Sequence, residues 1–122
     1  MEIDLHGWHP TQIVNTGALE EIVRQAWEMG ERRLTLIHGH GRQRGPGPGF
    51  VNTNTGFFGL LVRDSLRNVT SLRQWIHYTT VDCSEWGSTS VNLRRNASPT
   101  RTSLDPKVWE MLGDGSEPAS GT

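Results

Sequence analysis

Two histidine-glycine phrases hold the side chains best suited to chemistry. They are Ile3-Asp4-Leu5-His6-Gly7 and Ile37-His38-Gly39-His40-Gly41, the second followed at once by Arg42 and Arg44. Histidine exchanges protons near neutral pH and is the commonest general acid and base. Arginine offers a planar fork of donors that matches phosphate. Cleaving a phosphodiester needs a base for the nucleophile, an acid for the leaving oxygen and positive charge around the phosphorane-like state. His6 with His38 or His40 can supply the first two, and Arg42 with Arg44 the third. Asp4 can orient His6 or His38, as a carboxylate holds a catalytic imidazole. His6 and His40 are the first choices for acid and base; His38 is second, its backbone mattering more than its ring. On RNA the nucleophile can be the ribose 2′-hydroxyl, a route that needs no metal. Gly39 and Gly41 lack Cβ atoms and permit a turn whose backbone N–H groups can cradle a phosphate oxygen.

Plainer readings stand beside these. A strand ending in His-Gly is most often structural, and a glycine turn is the default meaning of the second phrase. His6, His38 and His40 can also form a metal site with Asp4. No spacing here is distinctive of zinc, so no cofactor is expected and a divalent metal is not favoured. His9 and His77 read as surface or core residues, and Cys83 as a small buried one.

The elements that must position the two phrases can be read from periodicity. Residues 2–6 read as a strand with Ile3 and Leu5 on one face and Asp4 and His6 on the other. Pro10 and Thr11 look like a helix start. Val14, Ala18, Leu19, Ile22, Val23, Ala26 and Trp27 follow at three- and four-residue spacing, and Gly30 is the stop. Leu34–Ile37 is a buried strand. Strand, helix, strand at this length is a βαβ unit with parallel strands, so both phrases belong at one carboxyl edge, where ligands of parallel sheets gather. Residues 57–68 read as a second helix with Phe58, Leu61, Val62 and Leu66 inward. Gln74–Val81 and the alternating Thr89, Val91 and Leu93 read as an antiparallel hairpin.

The chain of 122 residues supports one small domain. Its formal charge of −1 hides a strong asymmetry. Residues 1–31 carry one Arg against six acidic side chains; residues 32–95 carry nine Arg against three. The middle of the chain is thus a candidate footprint for phosphate, and a solvated polar face is the alternative. One cysteine excludes a disulfide framework within the chain and fits a reducing compartment. No apolar run reaches membrane length and no signal peptide is visible, so a soluble, cytoplasmic monomer with no membrane partner is expected. Residues 96–122 are rich in Ser, Thr, Pro and Gly and read as a mostly disordered tail, with a short helix open to 105–112 that can dock back on the body or onto a partner.

Taken together, Ile-Asp-Leu-His-Gly, a helix, and then Leu-Ile-His-Gly-His-Gly resemble the Smr (small MutS-related) domain, whose first motif is usually LDLHG and whose second is a glycine-rich HGxG or GHG phrase. Gly87-Ser-Thr-Ser-Val-Asn-Leu93 resembles its last strand. The resemblance spans about residues 2–95 and sets the domain at 1–95. It implies an α/β two-layer sandwich of order βαβαββ, two helices on a four-stranded mixed sheet, similar to the C-terminal domain of bacterial translation initiation factor three. It also implies nucleic-acid binding and endonuclease activity, RNA being favoured over DNA, and it brings in the ribosome as a partner because some members cut messenger RNA there. Carried over, the motifs fall on Asp4, Leu5 and His6, and on His38, Gly39, His40 and Gly41. A departure is the segment 43–57, which looks like an insertion between the glycine phrase and the second helix. Its Asn52 and Asn54 can read a base edge or cap the helix. The rival readings are a nucleic-acid or ribosome binding module that does not cut, and a metal-dependent hydrolase of small phosphoesters.

Overall fold

The computed structural model describes residues 1–5, 13, 17–39, 57–85 and 87–108, with the side chains of 57 and 58 left aside. The elements are β1 (Glu2–Asp4), α1 (Ala18–Glu28), β2 (Arg33–Ile37), α2 (Phe57–Asn68), a 3-10 turn (Thr70–Gln74), β3 (Ile76–Asp82) and β4 (Ser88–Leu93). The four strands form one mixed sheet in the order β1-β2-β4-β3. The expected sandwich of two helices on a four-stranded sheet is what the chain builds.

The sheet is two-faced because its strands alternate. Leu34 and Leu36 of β2, and Thr89, Val91 and Leu93 of β4, are buried toward the helices, while their neighbours in each strand are half-buried or exposed. The helices supply the other half of the core. Ala18, Leu19, Ile22, Val23 and Ala26 form the buried stripe of α1, and Val62 and Leu66 that of α2. Leu72 of the 3-10 turn and Ile76 close the core at one end, and both are fully buried. That turn has no period of its own, and its last residue Gln74 fell in the expected strand, which begins at Ile76.

Both ends of α1 depend on glycine. Gly17 is its N-cap at φ 80°, a left-handed conformation open to glycine. Ile13 is helical, and the expected start at Pro10 lies outside the described residues. At the other end Gly30, also at φ 80°, donates to Trp27 O, while the Glu31 N–H reaches Ala26 O at 3.2 Å. This pair of bonds is the Schellman pattern and confirms the expected stop. On the outer face Arg24 bonds both Glu21 and Glu28. The Arg24 guanidinium holds the Glu21 carboxyl below the usual range, against a smaller opposing effect of burial. Half-buried pairs of this kind on a helix surface contribute about 0.5 kcal/mol each.

Residues 96–108 do not leave the body as a disordered tail. They run back over the C-terminal end of α1, where helical carbonyls lack partners. Asn96 Nδ2 donates to Trp27 O at 2.9 Å, and the backbone N–H groups of Thr100 and Arg101 both reach Glu28 O. Arg101 pairs with the Glu28 carboxylate at 3.0 Å. Gln25 Oε1 accepts the Asp105 N–H at 2.7 Å, and Val108 is buried. Composition misleads here because the segment is held by hydrogen bonds to a helix end, not by an apolar stripe. Asp105 Oδ1 accepts the Lys107 N–H and so caps a helical turn; the rest of the expected 105–112 helix lies outside the described residues.

The strap and the helix stop meet at Gly30. A Cβ there would stand 2.8 Å from Pro99 Cγ, on a backbone already left-handed. Gly30→Ala is expected to cost about 1–2 kcal/mol from the backbone conformation alone, and to push the strap outward. Thermal melting checks the first effect, and faster proteolytic nicking between residues 96 and 104 the second.

Candidate functional site

β1 and β2 run parallel, with Glu2 beside Thr35, Ile3 beside Leu36 and Asp4 beside Ile37. The Leu5 N–H donates to Ile37 O at 2.7 Å and extends the pairing by a step. Both strands therefore end at the same rim, and the two histidine-glycine phrases emerge from adjacent positions. The expected juxtaposition of the phrases at one sheet edge is met by the backbone. The short β1 is held there by Ile3 and Leu5, both buried, and by the Met1 O···H–N Thr35 bond of 2.8 Å.

Alternation divides the site residues between the two faces. Asp4 is exposed on the open face, level with Ile37. His38, one position further along β2's line, lies on the helix side and is only 2% exposed. Asp4 and the His38 ring thus belong to opposite faces of the sheet, so Asp4 does not orient that ring. His6 itself lies outside the described residues, as do His40, Gly41, Arg42, Arg44, Asn52 and Asn54, together with most of the 43–57 insertion.

The His38 ring is held at both nitrogens. Nδ1 is 2.9 Å from Gly39 O, and Nε2 is 2.9 Å from Thr89 Oγ1. A carbonyl can only accept, so Nδ1 carries the proton. Thr89 Oγ1 also accepts from Arg63 Nε at 2.8 Å. The imidazole is thus fixed in a relay of Arg63, Thr89, His38 and Gly39.

The turn after β2 is tied to the β3–β4 loop. Gly87 O accepts the N–H groups of both His38 and Gly39, each at 3.0 Å. Gly39 has φ 78°, which only glycine adopts without strain. The Gly39 N–H was expected to face a phosphate; it is engaged by Gly87 instead, because the loop brings a carbonyl against the turn. Gly39 shapes the rim and does not offer its own amide to a ligand.

Arg63 and Thr89 are the members of this site that sequence reasoning missed. Arg63 is 9% exposed and also donates through Nη2 to Glu85 O at 2.8 Å and Ser88 O at 3.2 Å. Its guanidinium gathers the loop, the start of β4 and the His38 ring onto one planar group. A signal was present: Thr89 is the polar member of the inward register that it shares with Val91 and Leu93. A hydroxyl at an inward position asks for a buried partner. Arg63 gave less warning, since it sits between Val62 and Asp64 on a helix with a conventional polar face.

Among the described residues no three His, Cys, Asp or Glu side chains are grouped to hold a metal ion. No helix of the described chain is long and apolar enough to cross a membrane.

The parallel rim, the buried His38 and the glycine turn give the two motifs the setting that their resemblance implied. The Smr domain family matches the chain over residues 3–94. The chain belongs to the Smr domain family. Comparison with curated proteins, and with solved structures, found no match. Smr domains are in general nucleic-acid-binding and nuclease modules, and the Arg-rich stretch 32–95 of this one falls almost entirely within the matched span.

Proposed function

We propose that this Smr domain is an endonuclease that cuts RNA by histidine acid/base chemistry without a metal. The observation that carries the reading is the parallel register of β1 and β2, which starts Asp4-Leu5-His6 and His38-Gly39-His40 from neighbouring points of one rim. In the proposed reaction one imidazole, from His6 or His40, takes the proton of a ribose 2′-hydroxyl. The freed oxygen attacks the adjacent phosphorus, and the P–O5′ bond breaks. The other imidazole, already protonated, gives its proton to the departing 5′ oxygen. Asp4 orients His6 and favours its charged form. Arg42 and Arg44 neutralise the phosphorane-like state, and Gly41 shapes the turn between them and His40. The buried relay of Arg63, Thr89 and His38 holds the rim at the geometry this requires. Asn52 and Asn54 extend the contact to the substrate. RNA in the cytoplasm, free or on the ribosome, is the proposed target, and the acting species is a monomer.

The chemistry of the product ends tests this reading. Labelled RNA incubated with the protein and a chelator should yield a 2′,3′-cyclic phosphate on the upstream fragment and a 5′-hydroxyl on the downstream one. Cleavage that stops with chelator, or that leaves a 5′-phosphate, would show metal-activated water as the nucleophile and overturn the proposal. A non-cleaving module is the alternative, favoured by the immobilised His38 ring; its signature is retained binding with no product of any kind.

A further inference from the structure

The far end of the sheet from the histidine rim carries a second, wholly different surface. Arg32 and Arg33 open β2, Asn92 and Leu93 end β4 with Arg95 just beyond, and His77 lies near the start of β3. Register places Arg33, Asn92 and His77 in one row across three strands. Together these six residues line an open cleft of about 410 Å³, a volume within the range of ligand-holding clefts.

The charges in this cleft differ in how they are held. Arg33 is pinned, donating to Asn92 Oδ1 at 3.0 Å and to Asp82 Oδ2 at 3.1 Å. Arg32 and Arg95 are exposed, and among the described residues neither guanidinium has a carboxylate within ion-pair distance. Two unneutralised guanidinium groups facing one hollow repel each other until an anion enters, and their forked donors suit phosphate oxygens. On the open face between cleft and rim Thr35 and Ser90 share a hydrogen bond of 2.7 Å, Ser88 and Asn92 flank them on β4, Ile37 follows Thr35, and Glu2 and Asp82 stand level with Thr35 and Ser90 on the outer strands. None of these positions on β2 and β4 is aromatic, so this part of the face offers no ring on which a base can stack.

We infer that the Arg32–Arg95 cleft is a second phosphate site, which holds the same RNA strand whose scissile bond lies at the histidine rim. This rests on the nucleic-acid reading above. From Arg33 to His38 the strand rises about 16 Å, at about 3.3 Å per residue. A stacked strand advances about 3.4 Å per nucleotide, so roughly five nucleotides separate the two contacts. The site adds affinity without sequence preference, and it fixes the strand's direction across the sheet.

The test is fluorescence anisotropy of a labelled 12-nucleotide RNA across a salt series, with the wild-type chain, the double variant Arg32→Glu/Arg95→Glu and the double variant Arg32→Lys/Arg95→Lys. The glutamate variant should bind at least tenfold more weakly at low salt. Its slope of log affinity against log salt should be shallower by roughly 1.4, at about 0.7 per lost phosphate contact on a single strand. The lysine variant should stay within about threefold of wild type, and both should melt as the wild type does. Equal affinity and slope for the glutamate variant and wild type would overturn the inference. So would an equal loss in the lysine variant, or a wild-type chain that does not bind the RNA at all. If the wild type binds in this way but cuts nothing, the endonuclease reading falls while the cleft stands.

Discussion

Arg63→Ala is expected to lower stability by about 2–4 kcal/mol and to lower the melting temperature by about 8 °C or more. The side chain is buried and donates to Thr89 Oγ1, Glu85 O and Ser88 O. Hydrogen bonds from a charged group are worth about 1.5–3 kcal/mol each, and acceptors left buried without a donor carry a further cost. Loss of the buried charge itself returns part of this, which keeps the expected figure well below the sum. For a domain of this size each kcal/mol moves the midpoint by about 4–8 °C. Arg63→Lys should recover little, since a single ammonium cannot reach three acceptors in a planar fork. Thr89→Val keeps the shape but removes the hydroxyl that joins Arg63 to His38. The two substitutions should therefore be strongly non-additive, because they break one network. Thermal melts of the two single variants and the double variant measure this directly. An Arg63→Ala protein that melts within about 2 °C of wild type would show that the relay carries no structural weight.

Such a result bears on how far the site was legible in the sequence. The backbone was legible because period-two alternation and helical spacing act over many residues at once. Ile3 and Leu5, Leu34 and Leu36, and Val91 and Leu93 each mark a buried face by repetition, and the βαβ order then dictates a parallel pair. The stop at Gly30 was legible because one residue type suits one backbone conformation. The side-chain relay was not, because it depends on which residues of α2 and β4 meet across the core. That is set by packing, and Arg63 and Thr89 lie far apart in the chain. The strap at 96–108 was only half legible, docking back on the body being one of its readings, for a related reason. Its polar composition resembles that of a free chain, yet its partners are the unsatisfied carbonyls at the end of α1, which no local pattern reveals. Arg32, Arg33 and Arg95 were counted in the basic middle of the chain, but only register brings them to one hollow.

Legibility was also limited by the two faces of a strand. From sequence, Asp4 could serve either His6 or His38. The observed register sets Asp4 level with Ile37 on the open face while His38 turns inward, which separates Asp4 from that ring. A histidine whose two nitrogens are both engaged in the interior is poorly placed to exchange protons with a substrate. In the proposed reaction the chemical task therefore falls to His6 and His40, the histidines next in sequence to the two strand ends.

That division of labour makes the second large effect specific. Asp4→Asn combined with His6→Ala is expected to reduce RNA cleavage by at least a thousandfold while leaving the melting temperature within a few degrees of wild type. General acid or base catalysis by one positioned side chain contributes about 10²–10⁴-fold, and a carboxylate that orients such a histidine can contribute as much as about 10⁴-fold. The two losses are not additive, since Asp4 acts through His6. Folding should survive because Ile3 and Leu5 still fill the core and the backbone pairing with β2 is untouched. His38→Asn should behave in the opposite sense. It breaks the bonds to Thr89 and Gly39 and lowers the melting temperature, and any loss of cleavage should track the loss of folded protein. Single-turnover rates and melts on the same preparations separate the two patterns. A doubly substituted protein that cuts at the normal rate would place the reaction away from this rim. A His38→Asn protein that is fully folded and inactive would return the buried ring to the chemistry.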